Sequence, residues 1–384
     1  MQLLPATAAK KTTCPRLWAE IDLGAVLFNY RAIRRFVGPG VRMMAMVKSN
    51  AYGHGVTRIA QFLEEAGADC FGVANLEEAL ELQHAGISRA IVITGPITEC
   101  EVEHAVANNI QITVSPPEII DLVEQEARDQ QTTARLHLQV DIGMTRAGVP
   151  PDAATELAAR IEVSDALDLV GVATHFPVAE DAATSREQLR DFDTLCARLA
   201  DLELLPHVRH VANTMGIFNV PESHHELVRP GIGLFGMYPD DALRPHVKLR
   251  PAMTVCTQIV YLRDVPPGTP VGYGHTHATN RHTTIATLPI GYADGFQRSL
   301  SNRAKVIVAG RYAPVVGNVS MDMLTIDVGH IPGLRIGMPV TIIGADGDAG
   351  ISAEEHARDR GTIPYEVVCS VGKRVKRMYL NYEL

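Results

Sequence analysis

The sequence has no Cys-x-x-Cys pair, no low-complexity tract and no repeat of short fixed period. It also has no apolar run approaching the roughly 18–20 residues that a membrane-spanning helix needs. Its six cysteines (Cys14, Cys70, Cys100, Cys196, Cys256 and Cys369) are scattered, several of them within apolar runs. That excludes a disulfide framework or zinc-ligand spacing and reads as reduced, mostly buried core thiols of a cytoplasmic protein. Positive charge is also short, with 35 Lys and Arg against 44 Asp and Glu, a net charge of −9. Such a surface argues against broad binding to nucleic acid or anionic membranes. Lys10 and Lys11 are not followed by a continuous apolar stretch, so residues 1–15 read as a ragged tail, not as a signal peptide.

What is present is a globular composition, 46% apolar and 21% charged, in 384 residues. At about 150 residues per domain, that length suggests two or three domains. A short β-branched run followed by a loop and a helix recurs. A helix over 23–37, after Asp22, puts Val26, Leu27, Tyr30, Ile33 and Val37 on one face, and a second spans 185–200. Capping boxes are expected at Asn75 with Glu78, Thr98 with Glu101 and Ser115 with Glu118, the last with Pro116 at the first helical position.

Eight short apolar strands are expected near 42–47, 70–73, 90–93, 110–114, 135–140, 168–174, 208–211 and 225–228. Strands this apolar suit burial on both faces. Eight strand–helix alternations match a TIM-type (β/α)8 barrel, with an open doubly wound sheet as the competing reading. After a proline-containing stretch at 238–251 that reads as a linker, the chain becomes turn-rich and β-rich, with strands near 253–263, 283–289, 304–308, 312–319, 323–328 and 339–343. The fold class is therefore α/β: a barrel over 16–245 and a mainly-β domain over 246–384, with the strand 17–23 assignable to either.

Function in a barrel belongs just after the strands, at the C-terminal face. Lys48 ends the first strand, Asp141 and Arg146 follow the fifth, His175 ends the sixth, Asn213 and Thr214 follow the seventh, and Arg229 and Gly231 follow the eighth. An isolated strand-end lysine ordinarily just reaches solvent. Partly removed from water, it has a lowered pKa and can attack an aldehyde. Gly53 and Gly55 would let the backbone approach a ligand, and Tyr52 adds a hydroxyl. The loops at 213–216 and 229–233 offer small residues with free N–H groups for a phosphate. A lysine opposed to a phosphate site suggests pyridoxal 5′-phosphate (PLP).

The stretch Val47-Lys48-x-Asn50-Ala51-Tyr52-Gly53-His54-Gly55 resembles the PLP-attachment signature of the alanine racemases, fold-type III PLP enzymes. The resemblance continues in order through Val140-Asp141-x-Gly143-Met144-x-Arg146-x-Gly148, Thr174-His175-Phe176, His210-x-Ala212-Asn213-Thr214 and Val228-Arg229-x-Gly231-Ile232. It runs on through Gly272-Tyr273-Gly274, 289–295, Met321-Asp322-Met323 and Pro364-Tyr365-Glu366. It implies interconversion of L- and D-alanine by two bases. Lys48 would carry PLP covalently and act on one face, and Tyr273, from the partner subunit of a head-to-tail homodimer, would act on the other. Arg229 would bond the pyridine nitrogen, with His175 and His210 orienting it. Asn213, Thr214, Gly231, Ile232, Tyr52 and Tyr365 would hold the phosphate. Arg146 and the Met321 N–H would receive the substrate carboxylate, with Met321, Tyr292 and Tyr365 limiting side-chain size. Asp322 falls beside this group. A cytoplasmic role with D-alanine is also implied, either supplying it as a peptidoglycan precursor or breaking it down.

Three positions depart from the family pattern, one of them, Thr214 where serine is common, keeping its hydroxyl. Gln139 stands where many members have a lysine, often carbamylated, that orients the substrate-binding arginine, and Thr145 stands where glycine is common. These leave open a racemase of broader or shifted specificity, such as for serine. A non-catalytic PLP-binding protein is the other alternative, opposed by the presence of Tyr273 and the β domain. His275 and His277 would share a strand face with Tyr273, but with no acidic or cysteine ligand nearby no metal is expected.

Overall fold

A computed structural model describes residues 15–383. The expected tail and Cys14 thus fall almost wholly outside the described residues. The chain forms two compact units. One comprises Ile21–Met253, Ala353–Val371 and Tyr379–Leu384; the other comprises Thr254–Ser352, Gly372–Met378 and the described residues up to Glu20. Neither is one continuous stretch, because the chain beyond residue 352 divides between them.

After β1 (Leu17–Asp22) come the eight parallel strands of the first unit: β2 (Arg42–Met46), β3 (Cys70–Val73), β4 (Ala90–Ile93), β5 (Gln111–Val114), β6 (Ala134–Gln139), β7 (Leu167–Ala173), β8 (Val208–His210) and β9 (Leu227–Val228). They run side by side from β8 down to β2, and β9 pairs with β2. A parallel bridge between Asn213 and Arg229, with the Arg229 N–H on the Ala212 carbonyl at 2.8 Å, joins the two ends. This closure overturns the open-sheet alternative. Gly72 has no side chain because a Cβ there would overlap the Met46 sulfur and lie 2.8 Å from that of Met44.

The first outer helix spans Leu23–Val37, with Asp22 as its cap, accepting the Ala25 N–H at 3.0 Å. Val26, Leu27, Tyr30, Ile33 and Val37 are buried, as their spacing requires. The second expected helix runs longer, over Ala182–Asp201, because Asp181 caps it earlier. The Thr98–Glu101 box forms. At Asn75 only half of one does: Asn75 accepts the Glu78 N–H, but the Glu78 carboxylate bonds the Ser49 and Ala74 N–H groups. The Ser115 box does not form, because Pro116 takes the extended cap conformation and the helix begins at Pro117. The stretch read as a linker is tied down: Asn29 accepts the Arg250 N–H at 2.7 Å and donates to the Arg250 carbonyl at 2.8 Å.

The second unit is built on a seven-stranded sheet that includes β1 and a three-stranded sheet of Tyr261–Val265, Thr283–Leu288 and Leu324–Asp327. The run expected as one strand over 253–263 is two strands in different sheets, Met253–Gln258 and Tyr261–Val265. No helix among the described residues is long and apolar enough to cross a membrane.

Candidate active site

Lys48 lies one residue beyond the end of β2, after Val47, and opens an unusual turn. Ser49, Asn50, Ala51 and Tyr52 all have φ between 52° and 55°, a left-handed geometry costing about 1–2 kcal/mol per L-residue. Local bonds hold it. The Ala51 N–H meets the Val47 carbonyl at 2.7 Å, the Gly53 N–H meets Ser49 at 3.0 Å, and the Gly55 N–H meets Asn50 at 2.9 Å. The Asn50 side chain accepts the Val56 N–H at 2.8 Å, and Glu78 accepts the Ser49 N–H at 2.6 Å. The two glycines expected to admit a ligand instead admit the protein itself. A Cβ at Gly53 would overlap the Val368 carbonyl oxygen, and one at Gly55 the Tyr379 hydroxyl. The turn thus fixes Lys48 at its start and the buried Tyr52 at its end. Burial, then the charges of Arg146 and Arg229, push the Lys48 ammonium below its ordinary pKa.

Lys48 and Tyr52 line a cavity of about 770 Å³ at the C-terminal ends of the barrel strands, with Arg146, His175, Arg229 and Tyr365. Tyr52 and Tyr365 have ring centroids 6.1 Å apart, and burial raises both phenols above their ordinary pKa. The loops after β8 and β9 are bonded to each other. Asn213 caps the helix Thr214–Asn219, accepting the Gly216 N–H at 2.9 Å, and the Thr214 hydroxyl accepts the Gly231 N–H at 2.9 Å. Ile232 is fully buried beside them. A Cβ at Gly231 would overlap the Tyr52 hydroxyl, so only glycine leaves that phenol in place.

Arg229 is buried, and among the described residues no carboxylate pairs with it. Its Nη1 donates to His210 Nδ1 at 2.7 Å and to the His210 carbonyl. Its Nη2 reaches the carbonyls of Thr174 at 2.7 Å and Val211 at 3.0 Å, and His175 Nδ1 at 3.1 Å. Among the described residues no acceptor engages its Nε–H. Burial pushes its pKa down to about 10, leaving it charged at neutral pH. Burial, then Arg229, push His175 down to about 3 and His137 to about 4, and hold His210 well below its ordinary value. All three rings are neutral. His137 and Gln111 were missed from the sequence; the two-residue spacing of His137 and Gln139 in an alternating strand marks them as sharing a face.

Arg146 is exposed, on a loop ordered by Asp141, whose carboxylate accepts the N–H groups of Gly143, Met144 and Thr145 at 2.8–3.1 Å. Thr145 has φ 52°. The Gln139 amide donates to the Val140 carbonyl at 3.4 Å, and no bond joins Gln139 to Arg146 among the described residues.

Tyr273, Tyr292, Met321 and Asp322 lie in the other unit. Tyr273 is 74% exposed. It sits in a turn, not on a strand, with Gly272, Gly274 and His275 all at positive φ, so His275 and His277 do not share a strand face with it. Its carbonyl accepts the Asn318 side chain at 2.7 Å. Tyr292 and Met321 are brought together: the Tyr292 N–H meets the Ser320 carbonyl and the Ala293 N–H meets the Met321 carbonyl, each at 3.1 Å. Asp322 pairs with Arg374 at 2.9 Å. No group of three His, Cys, Asp or Glu with metal-ligating geometry occurs among the described residues. Cys70, Cys196 and Cys256 are buried, but Cys100 and Cys369, expected in the core, are exposed near the start and at the end of short helices.

Residues 21–239 match the family model described as alanine racemase, N-terminal domain, and residues 252–379 match alanine racemase, C-terminal domain. The chain is 39% identical over 374 residues to an alanine racemase of Halothermothrix orenii, covering 97% of this chain and 98% of that protein. Its fold is similar to a solved alanine racemase of Clostridium difficile 630, with a TM-score of 0.92 and 32% identity over 97% of this chain and 98% of that one. It is also similar to the alanine racemase of Bartonella henselae solved with covalently bound pyridoxal phosphate, with a TM-score of 0.84 and 31% identity over 96% of this chain and all of that one.

Proposed function

This chain belongs to the alanine racemase family, and we propose that it interconverts L- and D-alanine with PLP through two bases, Lys48 and the partner subunit's Tyr273. The residues present fit the cofactor. The cavity offers an amine of lowered basicity, a buried guanidinium and a glycine cradle under a tyrosine hydroxyl. When bound, PLP withdraws electrons from the substrate Cα and makes its proton removable. Racemisation then needs a proton removed from one face and returned to the other, and two groups that each hold a proton do this economically. Lys48 Nζ serves one face and the Tyr273 hydroxyl the other.

The observation that carries the reading is Arg229. A guanidinium held, among the described residues, by imidazoles and carbonyls and by no carboxylate keeps its own proton at neutral pH. It can donate a hydrogen bond to the ring nitrogen without protonating it, which limits side reactions such as transamination. Tyr52, Asn213, Thr214, Gly231, Ile232 and Tyr365 form the phosphate end. His175 and His210 orient Arg229. Arg146 and the Met321 N–H take the carboxylate, while Met321, Tyr292 and Tyr365 favour a methyl side chain. Gln139 lines the same cavity as Arg146 without bonding it, and Asp322 is engaged with Arg374. In this division of labour the barrel unit, which includes Tyr365, holds the cofactor, and the other unit supplies the second base.

The exposure of Tyr273 and Met321, 74% and 53%, supports a homodimer in which each subunit completes the other's site. The enzyme would act in the cytoplasm, either supplying D-alanine for peptidoglycan or taking part in D-alanine breakdown. Mixing inactive Lys48→Ala and Tyr273→Phe subunits tests the shared site. After subunit exchange each mixed dimer carries one intact site, so activity returns to about a quarter of wild type if mixing is random. No recovery despite demonstrated exchange would refute the shared site.

A further inference from the structure

We infer that His137 and Gln111 are positioning residues for Arg229, joined to it through His210 in a hydrogen-bond relay of fixed direction across the barrel interior. Three links make the chain. Arg229 Nη1 lies 2.7 Å from His210 Nδ1, His210 Nε2 lies 2.9 Å from His137 Nδ1, and His137 Nε2 lies 2.9 Å from Gln111 Oε1. Arginine has donors only, so His210 Nδ1 must accept. A neutral imidazole carries one N–H, so the His210 proton sits on Nε2 and is donated to His137 Nδ1. The His137 proton then sits on Nε2 and is donated to the Gln111 carbonyl oxygen. The opposite direction would set an N–H of His210 against an N–H of Arg229.

The fold is shaped around this pair. His137 on β6 registers with Gly171 on β7, and a Cβ at Gly171 would overlap His137 Nδ1 and approach the Val208 carbonyl to 3.1 Å. The two rings meet edge-on, centroids 5.0 Å apart. Both are neutral because burial and the Arg229 charge oppose a second proton. Gln111 supplies the terminal acceptor without a charge. A carboxylate there would favour a doubly protonated His137, whose Nδ1–H would face the His210 Nε2–H. The relay thereby locks the His210 ring and, through it, the plane of the guanidinium whose Nε–H is left for a ligand.

The consequence for catalysis rests on the proposed role of Arg229 at the cofactor ring; the relay itself does not. The relay is tested in the cofactor-free protein by imidazole ¹H–¹⁵N correlation spectra near neutral pH. Both His137 and His210 are expected in the neutral form protonated at Nε2, and an Nδ1 proton on either overturns the relay. The consequence is tested in the holoenzyme with Gln111→Leu and His137→Phe. Each should lower kcat for alanine about tenfold, the lower end of what removing such outer partners costs. KM should stay within about twofold, and the cofactor's absorbance maximum should shift. Unchanged kcat and absorbance in a folded variant would overturn the positioning role. If Arg229→Leu also leaves the cofactor absorbance unchanged, the failure lies with the role of Arg229, not with the relay.

Discussion

Replacing Gly53 by alanine should damage the site from beneath, and Gly67→Ala supplies the reference. Both glycines have strongly positive φ, 80° and 95°. An L-residue in the left-handed region costs about 1–2 kcal/mol. At Gly67 nothing lies within 4 Å of the added methyl, so that is the whole cost. At Gly53 the methyl also overlaps the Val368 carbonyl oxygen and lies 3.0 Å from its carbon. Backbone cannot rotate aside as a side chain does, and overpacking adds about 1–3 kcal/mol. The barrel unit should lose about 2–5 kcal/mol in Gly53→Ala against 1–2 in Gly67→Ala. The effect should reach the site, because Val368 belongs to the helix Pro364–Cys369 that carries Tyr365. PLP titration should show weaker binding in Gly53→Ala and unchanged binding in Gly67→Ala. Equal urea midpoints for the two variants, with equal PLP affinity, would refute this reasoning.

Acid should destabilise the fold through the buried histidines. His175 and His137 have folded pKa values near 3 and 4, below the ordinary value near 6.5. Between these limits the unfolded chain binds protons that the folded chain does not, so stability falls as pH drops, by up to about 1.4 kcal/mol per pH unit per histidine. Urea midpoints between about pH 7 and 4.5 should show this slope, and His137→Asn should flatten it if it folds. Tyr273→Phe should slow proton removal from one alanine enantiomer, the one whose Cα proton faces Tyr273, far more than from the other, while leaving PLP affinity unchanged; equal slowing of both enantiomers in single-turnover isotope exchange would contradict the division of the two faces between Lys48 and Tyr273.

The barrel was legible because several of its strands are short apolar runs that are wholly or almost wholly buried, such as Met43-Met44-Ala45-Met46 or Ile91-Val92-Ile93, and because strand and helix patterns alternate around them. The first helix was legible because Asp22 and an apolar stripe agree. The left-handed turn was not. Ser, Asn, Ala and Tyr seldom take positive φ, and this turn is packed against residues more than 300 positions away, Val368 and Tyr379. Sequence reasoning therefore gave Gly53 and Gly55 to a ligand, when the chain's own return segment meets them. The site was legible as a set of strand-end residues, but its interior was not: His137 lies mid-strand, and only the partner strands reveal that it meets His210 and Gln111. The Tyr273 turn was read as a strand because its three positive-φ residues leave no period to detect.

The most direct test of the account is Cα-proton exchange in heavy water, followed by NMR on the PLP-loaded protein with a panel of L-amino acids including alanine and serine. The account predicts rapid loss of the alanine Cα proton with appearance of the D-enantiomer, and little exchange of larger amino acids. Exchange of serine in preference to alanine would move the specificity to Gln139 and Thr145. No exchange of any amino acid by a folded, PLP-loaded dimer would contradict the racemase assignment.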